Sequence, residues 1–500
     1  MFGFLLAALL VYSQTLAFHW DEGFHLLAAR FISTGKRPYL DFLFAQAPLN
    51  AYWTAAWFRL FHPSWRLAHV LAACETWIAV VLMGRYEWKR FPVAEFRPAA
   101  ALSMAALFGL LTLTFNFGAI AQAYAFCLLM VVAAFRVAVA ARGRRDLWPA
   151  ALAGALAGAA AAASLLTAAM VPAMLVWLWF YDQTGKRWSK AVAFAAGALV
   201  PAVPVLRLLA EGPQQVWFNL VQYHALYRRV DWAGATVHDI DVLSYWIQDT
   251  QELILFGLAA AGLLSVLKGE WAAPRRAEFN LAAWLVLAVG AQNVLAHPTF
   301  AQYFIFGVPF LALLACAGFY RLVLRLSLAG RPERAAAVLC CFMLVTLGRG
   351  IFQGRDSESW QVLTKAAQKV NQVTPTNAQV MTQEPIYFLT GRPVPYGMEF
   401  DFAHKLDLGK QRNALLRIVP RAELERQIKA GRFASAAICD DDDQVSNLKE
   451  WGVYSQKFEV GDCTVFWQPT MKSRIQYPPS GSITIEKIAS RLKWADKQFM

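Results

Sequence analysis

The chain is short of charge. Only 16% of its 500 residues are Asp, Glu, Lys or Arg, against about a quarter in a soluble chain, and this excludes a soluble globular protein. No Cys/His spacing of the structural zinc type occurs. No Gly-rich loop follows a strand pattern, which argues against a soluble nucleotide-binding domain. The acidic run Asp440–Asp443 lacks the alternating ligands and turn glycine of a calcium loop and reads as a solvated helix start. Internal repeats and low-complexity segments are absent too, and nothing in the sequence calls for a metal or organic cofactor.

What is present is apolar. Hydrophobic residues make up 58% of the chain, and they fall in continuous, non-alternating runs of helical rather than barrel type. A window reading places spans near 2–18, 67–84, 99–115, 119–140, 148–164, 166–181, 191–209, 250–267, 279–295, 302–320 and 335–352, about eleven in all. The first run is short and no basic residue precedes it; it reads as an uncleaved anchor. The pair 148–181 is rich in small residues and also admits a re-entrant hairpin.

The formal net charge is +13, but its distribution points away from nucleic acid. Arg85, Lys89, Arg90 and Arg97 fall in one connection, and Arg136, Arg142, Arg144 and Arg145 in the next but one. Lys186, Arg187 and Lys190, then Lys268, Arg275 and Arg276, then Arg321, Arg325, Arg331 and Arg334 continue the alternation. The connections at 116–119, 164–166 and 296–301 carry no Lys or Arg. By the positive-inside rule the basic loops are cytoplasmic. The N-terminus is then cytoplasmic and the C-terminus outside, and two spans over 148–181 keep the alternation intact.

Two outer connections are long, 18–66 and 210–249, and long polar insertions on one side suggest a working surface. In the first, Phe24, Leu27, Ala28 and Phe31, and then Leu49, Tyr52, Ala56 and Leu60 after Pro48, recur at helical spacing. They predict two amphipathic surface helices. After Gly354 the composition changes. Helical patterns at 357–370 and 421–431 alternate with strand-like AQVMT, SAAICD and CTVFWQ, predicting a small α/β domain over 354–469. A tail over 470–500 ends in a weak amphipathic helix. Cys74, Cys127, Cys316, Cys340 and Cys341 fall in spans as small buried residues. Cys439 and Cys463 sit at strand ends in the outer domain, where a disulfide is permitted.

Asp21 and Glu22 stand where the first span leaves the bilayer. The local sequence accommodates them as N-cap and first-turn acids, or as a general base in a water-poor interfacial pocket. DEGFHLLAARFISTGKRPYLDF, the following AP-aromatic helix, and HPTFAQYFIFGVPFLALL together resemble the GT-C glycosyltransferases, in the branch of bacterial relatives of protein O-mannosyltransferases and aminoarabinose transferases. The resemblance covers nearly the whole chain through short, degenerate motifs. It implies an all-α polytopic membrane domain over 1–353 followed by the small α/β domain. It also implies a sugar donor on a polyprenyl phosphate, a lipid or protein acceptor at the outer face, and single displacement with inversion.

The family's catalytic acid matches Asp21, with Glu22 beside it, and Asp41 falls in the PY-x-D-F stretch, where a turn role is equally open. A phosphate leaving group needs cationic donors; the outer candidates are Lys36, Arg37, Arg228 and Arg229, with His19, Tyr223 and His224 as further candidates. The family's His-Tyr pair is here Gln302 and Tyr303, with His297 five positions earlier. A lipid-linked sugar transporter is the main rival, but the acids cluster at one surface and no repeat is seen. A non-catalytic envelope assembly protein is the other. The expected protein is therefore a glycosyltransferase of a bacterial inner membrane.

Overall fold

The computed structural model describes residues 1–230, 232–328, 330–354, 359–439 and 442–470. The acidic side chains of 440–443 and the expected tail helix beyond 470 lie outside the described residues.

Among the described residues, six helices are long and apolar enough to cross a membrane: Trp65–Arg90, Ala123–Arg142, Arg187–Glu211, Thr250–Leu267, Ala301–Arg325 and Pro332–Gln353. Phe2–Thr15, Trp148–Ala163 and Leu165–Tyr181 are apolar but shorter. At 1.5 Å per residue, a 14-residue helix such as the first rises only about 21 Å against a ~30 Å hydrocarbon core. Length and hydropathy thus do not confirm the expected count of eleven. The expected span at 99–115 breaks after Gly109 and resumes at Thr112–Phe117. Pro201 and Pro204 put a 3-10 step at Val200–Ala202 into Arg187–Glu211, as expected where ring and missing N–H disrupt the ladder. The 148–181 segment is two helices divided at Ser164.

The alternating loops sort to the two ends of the bundle. At one end, Arg142 donates to Pro274 O at 3.2 Å, Lys190 to Ala141 O at 2.8 Å, and Arg275 pairs with Glu278 at 2.9 Å and with Glu87. At the other, Gln122 reaches His19 at 3.0 Å and Gln292 accepts from Ala169 N at 2.7 Å. The basic connections therefore share one end, and the connections without Lys or Arg share the end that carries the first long loop.

That loop is buried more completely than its pattern predicts. Helix Glu22–Ser33 hides not only Phe24, Leu27, Ala28 and Phe31 but also Leu26 and Ala29. Its far face is covered by C-terminal residues: Arg30 donates to Tyr387 O at 2.8 Å and Phe388 O at 3.1 Å. In Leu49–Leu60 the expected amphipathic face is partly covered, with Leu49 and Tyr52 half-buried and Ala56 exposed. Ala51, Ala55 and Phe58 are buried, whereas Leu60 is 73% exposed. The exposed apolar residues suit the expected amphipathic helix lying along the membrane surface.

The C-terminal sheet has the order β1-β2-β4-β3, with β1 Val380–Thr382, β2 Ser435–Cys439, β3 Tyr454–Val460 and β4 Cys463–Pro469. β1 and β2 are parallel and the other pairings antiparallel. β3, mostly exposed and polar, gave no apolar signal in sequence. Cys439 and Cys463 are register partners across β2 and β4 and form a disulfide. Cys127, Cys316 and Cys340 are buried as expected, but Cys341 is exposed and Cys74 partly so. One apolar core runs from the first-loop helices into the sheet, joining Phe31, Phe42 and Phe58 to Ile386, Tyr387 and Phe388.

Candidate active site

Asp21 is the N-cap of helix Glu22–Ser33, and its neighbour holds it in place. Glu22 is fully buried. Its carboxylate accepts from His19 N at 2.8 Å and Ala121 N at 2.7 Å, and meets His69 Nε2 at 2.5 Å. His69 in turn donates from Nδ1 to Ser13 O at 2.5 Å. Four separate segments are thereby tied to one carboxylate, which makes Glu22 an anchor of the turn that carries Asp21. The Asp21 carboxylate itself has no ion-pair or hydrogen-bond partner among the described residues.

Two adjoining cavities meet at Asp21. One, of about 210 Å³, opens among bundle residues including Gln122, Tyr124, Ser164 and Gln292. The other, of about 380 Å³, opens toward the C-terminal residues Phe400, Phe402 and Lys405. Asp21, Phe24, Gln46, His224, Arg228 and Tyr303 line both. A carboxylate and a guanidinium are thus shared between a bundle-side and a domain-side chamber.

Arg228 follows the helical segment Phe218–Tyr227. It donates to the Tyr303 hydroxyl, and its guanidinium lies 5.1 Å from the Phe300 ring centroid and 5.3 Å from that of Tyr303. Burial works against its charge, but Tyr303, Tyr223 and Asp21 outweigh it and hold the pKa above the ordinary arginine value. Lys405 donates to Arg228 O at 2.7 Å. The result is a fixed cation beside an unpaired carboxylate, an arrangement suited to moving a proton on one side and receiving an anion on the other.

The remaining expected residues divide clearly. His297 lines the bundle-side cavity with its ring paired to Asp239, which also accepts from Thr299 N at 2.7 Å. His19, Tyr223 and Gln302 line the domain-side cavity. Lys36, Arg37 and Asp41 line neither. Arg37 bonds Asp41 at 2.9 Å and Glu211 at 3.0 Å on the surface. Burial would raise the Asp41 pKa, but Arg37 overrides it and holds the carboxyl below its ordinary range. Lys36 lies 4.3 Å over the Phe31 ring.

Sequence reasoning missed His69, Gln46, Gln122, Tyr124, Lys405 and His25. Only His25 carried a signal, standing one helical turn after Asp21. Among the described residues no group of three or more His, Cys, Asp or Glu is placed to hold a metal.

No protein-family model matches the chain, and no curated protein matches it in sequence. Its structure is similar to that of ArnT from Cupriavidus metallidurans bound to undecaprenyl phosphate, with a TM-score of 0.65 and 14% identity over 93% of this chain and 96% of that one. The apo state of ArnT gives 0.66 at 13% identity with the same coverage. The oligosaccharyltransferase of Archaeoglobus fulgidus, tethered to an acceptor peptide containing the NVT sequon, gives 0.52 at 11% identity, covering 88% of this chain and 69% of that one. At such identities the likeness is one of fold, and the chain is a polytopic membrane protein with the fold that ArnT displays.

Proposed function

We propose that this protein is a membrane glycosyltransferase that moves a sugar from a polyprenyl-phosphate donor to an acceptor hydroxyl. The observation that carries the reading is the junction: an unpaired Asp21 and a held Arg228 shared by two chambers. The donor enters the bundle-side chamber, its polyprenyl chain left in the bilayer, and the acceptor enters from the domain side. Asp21 takes the proton of the acceptor hydroxyl, whose oxygen forms the new bond to the anomeric carbon. The bond from that carbon to the phosphate oxygen breaks with its electron pair on the leaving phosphate. Arg228 stabilises the charge that develops there, the larger part of catalysis where an anion departs. A positioned base adds about 10² to 10⁴ in rate. ArnT, of the same fold, binds undecaprenyl phosphate, which supports a donor of this chemistry. The acceptor is a lipid-linked glycan, a lipopolysaccharide or a protein at the outer face of a bacterial inner membrane.

The test is complementation. A strain lacking the protein should accumulate a lipid-linked sugar that wild type clears and Asp21→Asn does not, while purified Asp21→Asn still binds undecaprenyl phosphate. Turnover retained in Asp21→Asn would remove Asp21 from the role of base.

A further inference from the structure

His25 stands one turn beyond Asp21 on helix Glu22–Ser33, so both side chains leave the same face, and both line the bundle-side cavity. His25 is only 8% exposed. Among the described residues neither of its ring nitrogens has a hydrogen-bond partner, nor is either sealed from accessible space. The ring is held by stacking on Phe24 at 4.4 Å and by an edge contact with Phe44 at 5.9 Å. Burial, then the neighbouring His19, push its pKa down to about 3, so it presents one N–H donor and one bare nitrogen. The unpartnered nitrogens open onto the cavity, which is the place for a partner to arrive.

His224 supplies the complement. Its Nε2 faces Ala45 O at 2.8 Å. A carbonyl only accepts, so Nε2 carries the proton. Burial, then Arg228, lower this pKa to about 4, and in the neutral ring Nδ1 is left as a bare acceptor. The charges that line the chamber are few. Asp21 and Arg228 are engaged by acceptor and phosphate, and His297 is paired with Asp239. An ammonium on the sugar would need a second carboxylate, and a uronate a second free cation; the described lining contains neither.

We propose that the bundle-side cavity is a subsite for an uncharged sugar, and that His25 and Nδ1 of His224 hydrogen-bond its hydroxyls. This rests on the transferase reading and narrows its donor to a neutral saccharide on a polyprenyl phosphate.

The experiment measures binding to protein in nanodiscs of bare undecaprenyl phosphate, of undecaprenyl phosphate carrying glucose, galactose or mannose, and of the same lipid carrying 4-amino-4-deoxyarabinose or glucuronate. At least one neutral sugar should tighten binding about tenfold over the bare lipid, the scale of one or two net hydrogen bonds, and the charged sugars should not. His25→Ala should remove that gain, His25→Asn should restore part of it, and bare-lipid affinity should be unchanged in both. A gain shown only by a charged sugar, by no sugar, or retained in His25→Ala overturns the proposal. Bare-lipid affinity lost together with the gain overturns it as well, because it assigns His25 a structural role. If wild type binds none of these lipids, the transferase reading itself fails and takes this inference with it.

Discussion

Glu22 shows how a residue adjacent to a candidate base can serve it without touching substrate. It is buried against His69, and both side chains have 0% exposure. Removing one member of a buried hydrogen-bonded pair leaves the other polar group without its partner, which costs about 1 to 3 kcal/mol. Glu22→Ala and His69→Ala should each lower unfolding stability by that order, and the double variant should cost clearly less than the sum because the two share one interaction. Thermal unfolding of the four proteins in one detergent checks this; strict additivity would show that the pair is not energetically coupled.

A second buried carboxylate lies in the C-terminal residues. Glu384 accepts from Asp401 N at 2.7 Å, and burial first, then the charge of Asp401, raise its pKa from 4.5 to about 8. The folded state therefore holds a proton that the unfolded state has already released. Stability from this group is full below about pH 4.5 and is lost as pH rises toward 8. Glu384→Gln should accordingly stabilise the protein at pH 8 and leave it nearly unchanged at pH 5. Melting curves at the two pH values decide it, and an equal shift at both would refute the titration.

At the scale of elements, the first surface helix and the C-terminal residues are pressed together at Gly23. A Cβ there would lie 2.4 Å from the Pro385 ring and 2.6 Å from its nitrogen. Backbone cannot yield as a flexible side-chain end can, so Gly23→Leu should lift residues 384–390 away from helix Glu22–Ser33. Limited proteolysis should then release a C-terminal fragment that wild type protects, with the membrane bundle still extractable as a folded species. Protection equal to wild type would mean that the contact gives way at little cost.

The helices themselves were legible to different degrees. The helix Leu49–Leu60 announced itself by period as an amphipathic surface helix, but the period did not say that Ala51, Ala55 and Phe58 would form its buried side. Helix Glu22–Ser33 looked amphipathic, and its second buried face became visible only once Tyr387 and Phe388 were found against it. Asp21 was legible because an acid at the mouth of a span is conspicuous. Arg228 was one of several outer cations, and only packing against Phe300 and Tyr303 set it apart from Arg37, which spends its charge on Asp41 and Glu211. Lys405 carried no signal, since a lysine 177 positions from Arg228 in sequence reaches it through the fold alone.

For the molecule as a whole, the proposed sidedness rests on two independent features. Basic connections meet at one end of the bundle, where Arg142, Lys190 and Arg275 interlock, and such loops stay in the cytoplasm. The C-terminal sheet sits at the other end against the first long loop and contains the Cys439–Cys463 disulfide, a bond that persists in oxidising compartments and is rare in the cytosol. Both support the proposed outer-face position of Asp21 and its two chambers. Lys457, exposed on β3, and Arg144, exposed in a basic loop, are suitable reporters. In intact cells a membrane-impermeant maleimide should label Lys457→Cys at once and Arg144→Cys only after permeabilisation. The reverse pattern would turn the protein over in the membrane. The donor sugar would then have to be delivered at the cytoplasmic face, and the disulfide would require an origin other than its compartment.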